Sequence, residues 1–347
     1  MTSKPSLFDS VTQSIVAAIE AHPGKPAMPW HRDAGAPLFM PENALTKKSY
    51  LGINTVVLWV SAGQQGFKSP IWATYRQFAE LGCQVRKGEK STPVIFYKSI
   101  AVVPDSENSD DHGQRRVVRT SAVFNCSQVD GYPEPAAEPD LGPVGRNQQF
   151  DAFVAATSAV VVHGGDRAFY RPSTDSITMP DESRFCGTET MTRDESYISV
   201  LAHELCHWGG ATSRLNREFG KRFGDAAYAA EEITAELCAA FVCAELGIAS
   251  APRADHAQYI AQYLQLLKSD SRAVFTAAAK ASQAVAYLKA FSDAQSKAAY
   301  GRACAGLQPG AGFLRPRGFC QRRIRPAAVK RKRSSTLLRP LGDGGQR

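Results

Sequence analysis

The chain has 347 residues, 44% apolar and 21% charged, with 41 Lys/Arg against 33 Asp/Glu. This composition excludes a fibrous or wholly disordered chain, and the length allows two domains with proper cores. There is no run of 18 apolar residues, and the opening MTSKPSLFDSVTQ lacks an apolar leader; no membrane partner and no export are expected, which leaves the cytoplasm.

Residues 8–21 carry Val11, Ile15, Ala18 and Ile19 at helical spacing, with Asp9 or Ser10 as the cap. The Pro-rich HPGKPAMPWHRD that follows holds Trp30 and cannot be helical. Gly52 to Ala62 reads as an apolar helix. Ser69-Pro70 starts another, carrying Trp72, Tyr75, Arg76 and Phe78 up to Gly82. The basic turn VRKGEK (85–90) leads into a β-rich run, Pro93 to Val103, and Arg115 to Phe124 reads as its hairpin partner across the acidic PDSENSDDHGQ.

From Lys47 to Lys98 there are 8 basic residues and 2 acids, interleaved with aromatic rings. That mixture suits single-stranded nucleic acid, where cations follow the phosphates and exposed rings stack on splayed bases. The candidate contacts are Lys47, Lys48, Tyr50, Lys68, Trp72, Tyr75, Arg76, Arg86, Lys87 and Lys90. The competing reading is a core, because Trp59, Trp72 and Phe78 fall at apolar helical positions.

Residues 133–145 (PEPAAEPDLGPVG), with 4 prolines, read as a linker. Asn147 to Ser158 begins a second domain as a helix. Ala159 to His163, Arg167 to Arg171 and Ser176 to Pro180 read as short strands, with Gly164-Gly165 turning the first pair and Ser173 to Asp175 the second. The Ile177-Thr178-Met179 strand, set at the rim of a cleft, would offer a free edge to an extended peptide. His163 reads as a strand residue rather than a ligand.

The string His203-Glu204-Leu205-Cys206-His207 then specifies chemistry. On a helix the two imidazoles share one face and aim at a common point suited to Zn²⁺, while Glu204 sits one step round, where it takes a proton from a metal-bound water. Ile198, Leu201, Leu205 and Trp208 form the apolar stripe of this helix, and Gly209-Gly210 stops it. A second apolar helix, Asp225 to Gly247, is interrupted by Glu231, Glu232 and Glu236, and a buried carboxylate needs a partner or a metal. Glu232 is the expected third ligand and Glu236 the expected hydrogen-bond partner of a ligating imidazole; exchanged roles, or Glu231 as ligand, remain open. Tyr228, one turn before Glu232, is positioned in sequence to donate to a developing oxyanion.

Residues 255–300 read as two helices behind this site. From residue 302 onward periodicity ends, and a basic tail containing KRKR (330–333) is expected to be disordered. Charge is uneven: residues 1–130 carry 14 Lys/Arg and 11 Asp/Glu, residues 131–301 carry 15 and 21, and residues 302–347 carry 12 and 1. A polyanion is thus expected to meet the ends and not the metal site. The 8 cysteines form no Cys-x-x-Cys pair and read as reduced thiols.

With these blocks in hand, the chain resembles the ArdC-type antirestriction proteins of conjugative plasmids, related in their N-terminal part to TraC-type plasmid primases. The matching stretches are PWHR (29–32), KSYLGINTVVLW (48–59), residues 69–98, VFNCSQVDG (123–131), ITMP (177–180), LAHELCHWGG (201–210) and YAAEEITAEL (228–237). The resemblance implies a mixed α/β domain that binds single-stranded DNA without sequence preference, a zincin-like metallopeptidase domain, and protection of incoming plasmid DNA. The expectation is therefore an α+β protein of two domains, 1–131 and 146–301, joined by linker 132–145 and followed by tail 302–347. A zinc ion is expected on His203, His207 and Glu232, with Glu204 as base; the protein substrate is unknown. The rival reading is a non-catalytic DNA-binding or primase-accessory protein whose zincin domain is a structural or partner-binding module.

Overall fold

The computed structural model describes residues 6–21, 39–101, 114–133, 142–187, 191–220, 226–248 and 256–305. The Pro-rich segment with Trp30, the acidic hairpin connection, most of the linker and the tail from 306 lie outside the described residues.

Helix α1 (Leu7–Glu20) starts one turn earlier than the sequence reading. Ser6, not Asp9 or Ser10, is the cap: its Oγ accepts the Asp9 N–H and the Asp9 carboxylate accepts the Ser6 N–H, each at 3.1 Å. Strand β1 (Glu42–Asn43) precedes α2 (Ile53–Gln65). The helix expected from Ser69 begins instead as strand β2 (Ile71–Thr74), because Ile71, Trp72 and Ala73 are buried between two neighbouring strands. Thr74 then caps the short α3 (Tyr75–Glu80) in a box with Gln77. After β3 (Gln84–Val85), strands β4 (Thr92–Ala101) and β5 (Gln114–Asn125) form the expected hairpin, and β6 (Val129–Asp130) pairs with β3. The larger sheet has the order β1-β2-β5-β4.

Helix α4 (Gly142–Thr157) leads into a three-stranded sheet of β7 (Val160–His163), β8 (Phe169–Arg171) and β9 (Ser176–Met179), ordered β7-β9-β8. Strand β9 is therefore central, parallel to β7 and antiparallel to β8. This corrects two expectations: Gly164-Gly165 does not turn a hairpin, and the 177–179 strand has no free edge. Among the described residues four α-helices follow: α5 (Arg193–Gly209), α6 (Ala226–Glu245), α7 (His256–Ser269) and α8 (Ala273–Ala305). Among the described residues no helix is long and apolar enough to cross a membrane.

The principal core runs from Val11 and Ile15 of α1 through Val56 and Trp59 of α2 to α5, α6 and Leu288 of α8. Trp59 and Phe241 pack at 5.5 Å between ring centroids, and the Thr12 hydroxyl donates to the Ser271 carbonyl at 2.7 Å. At Gly52, with φ of +60°, the N–H donates to Ser282 Oγ at 2.9 Å; this left-handed backbone is where a side chain is least tolerated. The N-terminal helices thus bury their apolar faces on the C-terminal ones. Trp72 belongs to a smaller core with Leu58, Val94 and Val123.

Candidate metal centre and basic surface

Thr192 caps α5 in a box with Glu195, so the helix that carries the metal motif is fixed at its start. Ile198, Leu201, Leu205 and Trp208 are buried, as are His203 and Glu204. The Nε2 atoms of His203 and His207 face each other at 3.1 Å, and the Glu232 carboxylate on α6 faces both, its Oε2 3.5 Å from His203 Nε2 and its Oε1 3.5 Å from His207 Nε2. A tetrahedral ion with bonds of about 2.0–2.1 Å needs donor atoms roughly 3.3–3.4 Å apart; one donor atom from each of the three residues lies within 4.8 Å of the others, so small side-chain shifts would bring them to that spacing. Two ring nitrogens at such a distance also need a proton or a cation between them. The three residues are the one group among those described whose donor atoms cluster this way.

The neighbouring carboxylates lie on the other sides of the imidazoles. Glu231 Oε1 is 3.1 Å from His207 Nδ1, and Glu236 Oε1 is 3.3 Å from His203 Nδ1. Glu231 is held in turn by Arg217, whose Nε and Nη2 donate to it at 3.0 and 2.7 Å while Nη2 also donates to the Cys206 carbonyl at 2.7 Å. A Cβ at Gly210 would come within 2.6 Å of that guanidinium. Gly210, at φ −79°, is required for the space it leaves and not for its backbone angle.

Burial opposes a charged His203, but the Glu232 and Glu236 carboxylates outweigh it and hold its pKa well above the ordinary imidazole value. Glu232 is held down to about 2 against its burial, by His203 and His207. Glu231 is lowered against burial by His207 and Arg217, and His207 is raised against burial by Glu231.

Glu204 Oε2 accepts the backbone N–H of Tyr170 at 2.9 Å, which ties it to the edge strand β8. The Tyr170 phenol donates to Asp175 at 2.8 Å and accepts from Arg214, and burial together with Asp175 pushes its pKa up to about 12. Arg214 stacks over Trp208 at 3.9 Å and pairs with Asp175, so the β8–β9 turn is pinned to α5. Phe219 covers this side, its ring centroid 6.0 Å from that of His207. Tyr228 lies in the first turn of α6, half-buried, with its backbone against Gly220. Sequence reasoning did not find Arg217, the role of Gly210 or the Tyr170 N–H. The first two had one faint signal, the doubled glycine, and a backbone N–H has none.

Of the candidate contacts, Tyr75, Arg86 and Lys87 line one open cleft of about 580 Å³ with Glu89 and Asp130. Arg86 is ion-paired to Glu89 at 2.8 Å and Asp130 at 3.6 Å. Lys47 lies 3.8 Å from Glu42, while Lys48, Lys68, Arg76 and Lys90 are exposed. Tyr50 is half-buried, its hydroxyl accepting from Asn43. Trp72, 1% exposed, cannot stack on a base, which corrects its inclusion among the candidate contacts.

Two family models match the chain: the N-terminal domain of anti-restriction factor ArdC over residues 5–128 and a zincin-like metallopeptidase over residues 148–280. An uncharacterized protein, y4eC, of Sinorhizobium fredii (strain NBRC 101917 / NGR234) is 42% identical over 304 residues, covering 86% of this chain and 96% of the relative. A DNA primase TraC of Escherichia coli is 35% identical over 316 residues, covering 85% of this chain but 20% of the primase. The crystal structure of the antirestriction ArdC protein from plasmid R388, metal-free, superposes with a TM-score of 0.66 at 36% identity, covering 83% of this chain and 98% of that one. The Mn(II)-bound structure of the same protein gives 0.63 at 35%, with the same coverage.

Proposed function

Because this chain belongs to the ArdC family of antirestriction proteins and carries its zincin-like domain, we propose that it is a metal-dependent peptidase that also binds single-stranded DNA without sequence preference. The observation that carries the peptidase reading is the donor triangle of His203, His207 and Glu232, with Glu204 one residue from the first histidine. The ion these residues would hold supplies a lowered pKa for a bound water and polarises a carbonyl. Its two nitrogens and one carboxylate suit zinc, and a Mn(II)-bound relative keeps manganese in view.

The chain's own groups then divide the work. Glu204 takes the water's proton and passes it to the leaving amine. Glu231, hydrogen-bonded to His207 Nδ1, fixes that tautomer, and the Glu236 carboxylate 3.3 Å from His203 Nδ1 favours a proton there, so that both Nε2 atoms present lone pairs. Phe219 shields the His207 side from water, and Tyr228 serves as candidate donor to the oxyanion. An extended peptide would lie along the outer edge of β8, since β9 is paired on both sides, and would take over the Tyr170 N–H that Glu204 Oε2 accepts without it. The full-length protein, metal content measured, is tested on unfolded casein. Glu204→Gln is expected to keep the ion and lose at least about a hundredfold in cleavage. His203→Ala is expected to lose both; undiminished cleavage in either variant would sink the reading.

The DNA reading rests on exposed cations beside exposed rings in the N-terminal segment. The primase relatives support a second reading, in which DNA binding alone protects incoming DNA and the zincin fold serves as a structural or docking module. The two separate in a plasmid-transfer assay into a restricting host: Glu204→Gln loses protection under the first and keeps it under the second.

A further inference from the structure

The hairpin of β4 and β5 carries a surface that lies outside both the candidate DNA contacts named above and the metal site. Within the two strands there are one lysine and three arginines and no carboxylate. Strand β2 pairs with β5 only from Val123 to Asn125, so beyond Thr120 the hairpin is a two-stranded ribbon. The free edge of β4 is covered at Ile95, where the Asn54 side chain donates to the carbonyl and accepts the N–H, both at 2.7 Å.

Just past that point the side chains change character. Phe96 lies opposite Arg119 in the register, and Lys98 lies opposite Val117. Since residues alternate between faces and directly opposed residues share one, Phe96, Lys98, Val117 and Arg119 line a single face. Phe96 is 46% exposed, and Lys98 and Arg119 are exposed with no ion-pair partner among the described residues. A half-exposed ring flanked by unneutralised cations is poor packing and good single-strand chemistry: the ring offers a face to any base, and the cations meet the phosphates. The cleft at Tyr75 is less suited, because its Arg86 is already neutralised by Glu89 and Asp130.

We infer that single-stranded nucleic acid runs along this ribbon face, with a base stacked on Phe96 and the flanking phosphates on Lys98 and Arg119. This rests on the proposed DNA-binding reading and gives it a path. In sequence, the connection between the strands carries Asp105, Glu107, Asp110 and Asp111, so the path keeps to the root of the ribbon.

The test uses the full chain and a fluorescein-labelled 20-mer of thymidylate, with anisotropy titrations across a salt series. Phe96→Ala is expected to weaken binding about tenfold, with Phe96→Trp restoring it. Lys98→Ala/Arg119→Ala is expected to reduce the slope of log affinity against log salt by about 1.4, two phosphates at about 0.7 each. All three positions are exposed, so thermal midpoints should match the parent. If the parent binds and both alanine variants bind as tightly with the same slope, the inference is overturned and the strand must run elsewhere on the molecule. If the parent does not bind, the DNA-binding reading itself fails.

Discussion

Gly210 and Arg217 show how the proposed metal centre would depend on residues that cannot touch the ion. The guanidinium of Arg217 occupies the volume a Cβ at position 210 would need, and from there it grips Glu231 against His207. Gly210→Ala should displace the guanidinium and free the His207 ring to reorient. The expected result is a fall of about 10–100-fold in metal affinity, read by chelator competition, with secondary structure by circular dichroism unchanged. Arg217→Met should be harsher: it leaves Glu231, 3% exposed, with only the His207 imidazole to offset its buried charge, and should cost up to about 3–5 kcal/mol of stability.

The His203–Glu232 pair sets a pH signature for the metal-free protein. His203, raised in the folded state, stabilises fully below its unfolded pKa near 6.5, and that contribution fades as pH rises through the higher folded value. Glu232, held down to about 2, stabilises fully above an unfolded pKa of 4.5 and fades as pH falls toward 2. With chelator present, the difference in melting temperature between the parent and Glu232→Gln should therefore be greatest between roughly pH 4.5 and 6.5. It should shrink on both sides; a difference independent of pH would contradict the pairing.

At the scale of elements, capping decides where helices begin and edge protection where a sheet ends. Thr192 with Glu195 and Thr74 with Gln77 are local boxes, each worth about 1 kcal/mol, and both are written in consecutive residues. Asn54 is different: it closes the β4 edge at Ile95 from a helix 41 residues away in sequence. Asn54→Ala should leave a part-buried N–H and C=O without partners and cost about 1–3 kcal/mol in urea unfolding, while metal content stays at the parent level. Strand order is a second such case. The alternation in 176–179 announces a strand, yet whether it lies at the edge or the centre depends on β7 and β8 pairing with it and not with each other.

Across the whole molecule, the stretches that match separate family models share one core. Ile15, Val56 and Trp59 are buried against residues of α6, α7 and α8. A fragment ending at residue 131 would expose these side chains to water and should not fold on its own, giving no cooperative melt and no sharp near-ultraviolet signal. The full chain should unfold the two regions in a single calorimetric transition. A folded 1–131 fragment would mean that the contacts of α1 and α2 with the C-terminal helices contribute little.

The sequence alone determined what is local and periodic: the helix bearing His203, Glu204 and His207, the acidic helix bearing Glu232, the β4–β5 hairpin and the helix pair after residue 255. Helical and strand spacings bring such residues together within one or two turns, so reading along the chain suffices. Only the tertiary structure decided which carboxylate faces which imidazole nitrogen, that Arg217 fills the space beside Gly210, that Trp72 is buried, that β9 is central and that α1 and α2 lie on the C-terminal helices. Each of these depends on residues far apart in sequence meeting in space, where side-chain volume, strand partnership and the burial of apolar faces choose among arrangements that the local pattern permits equally.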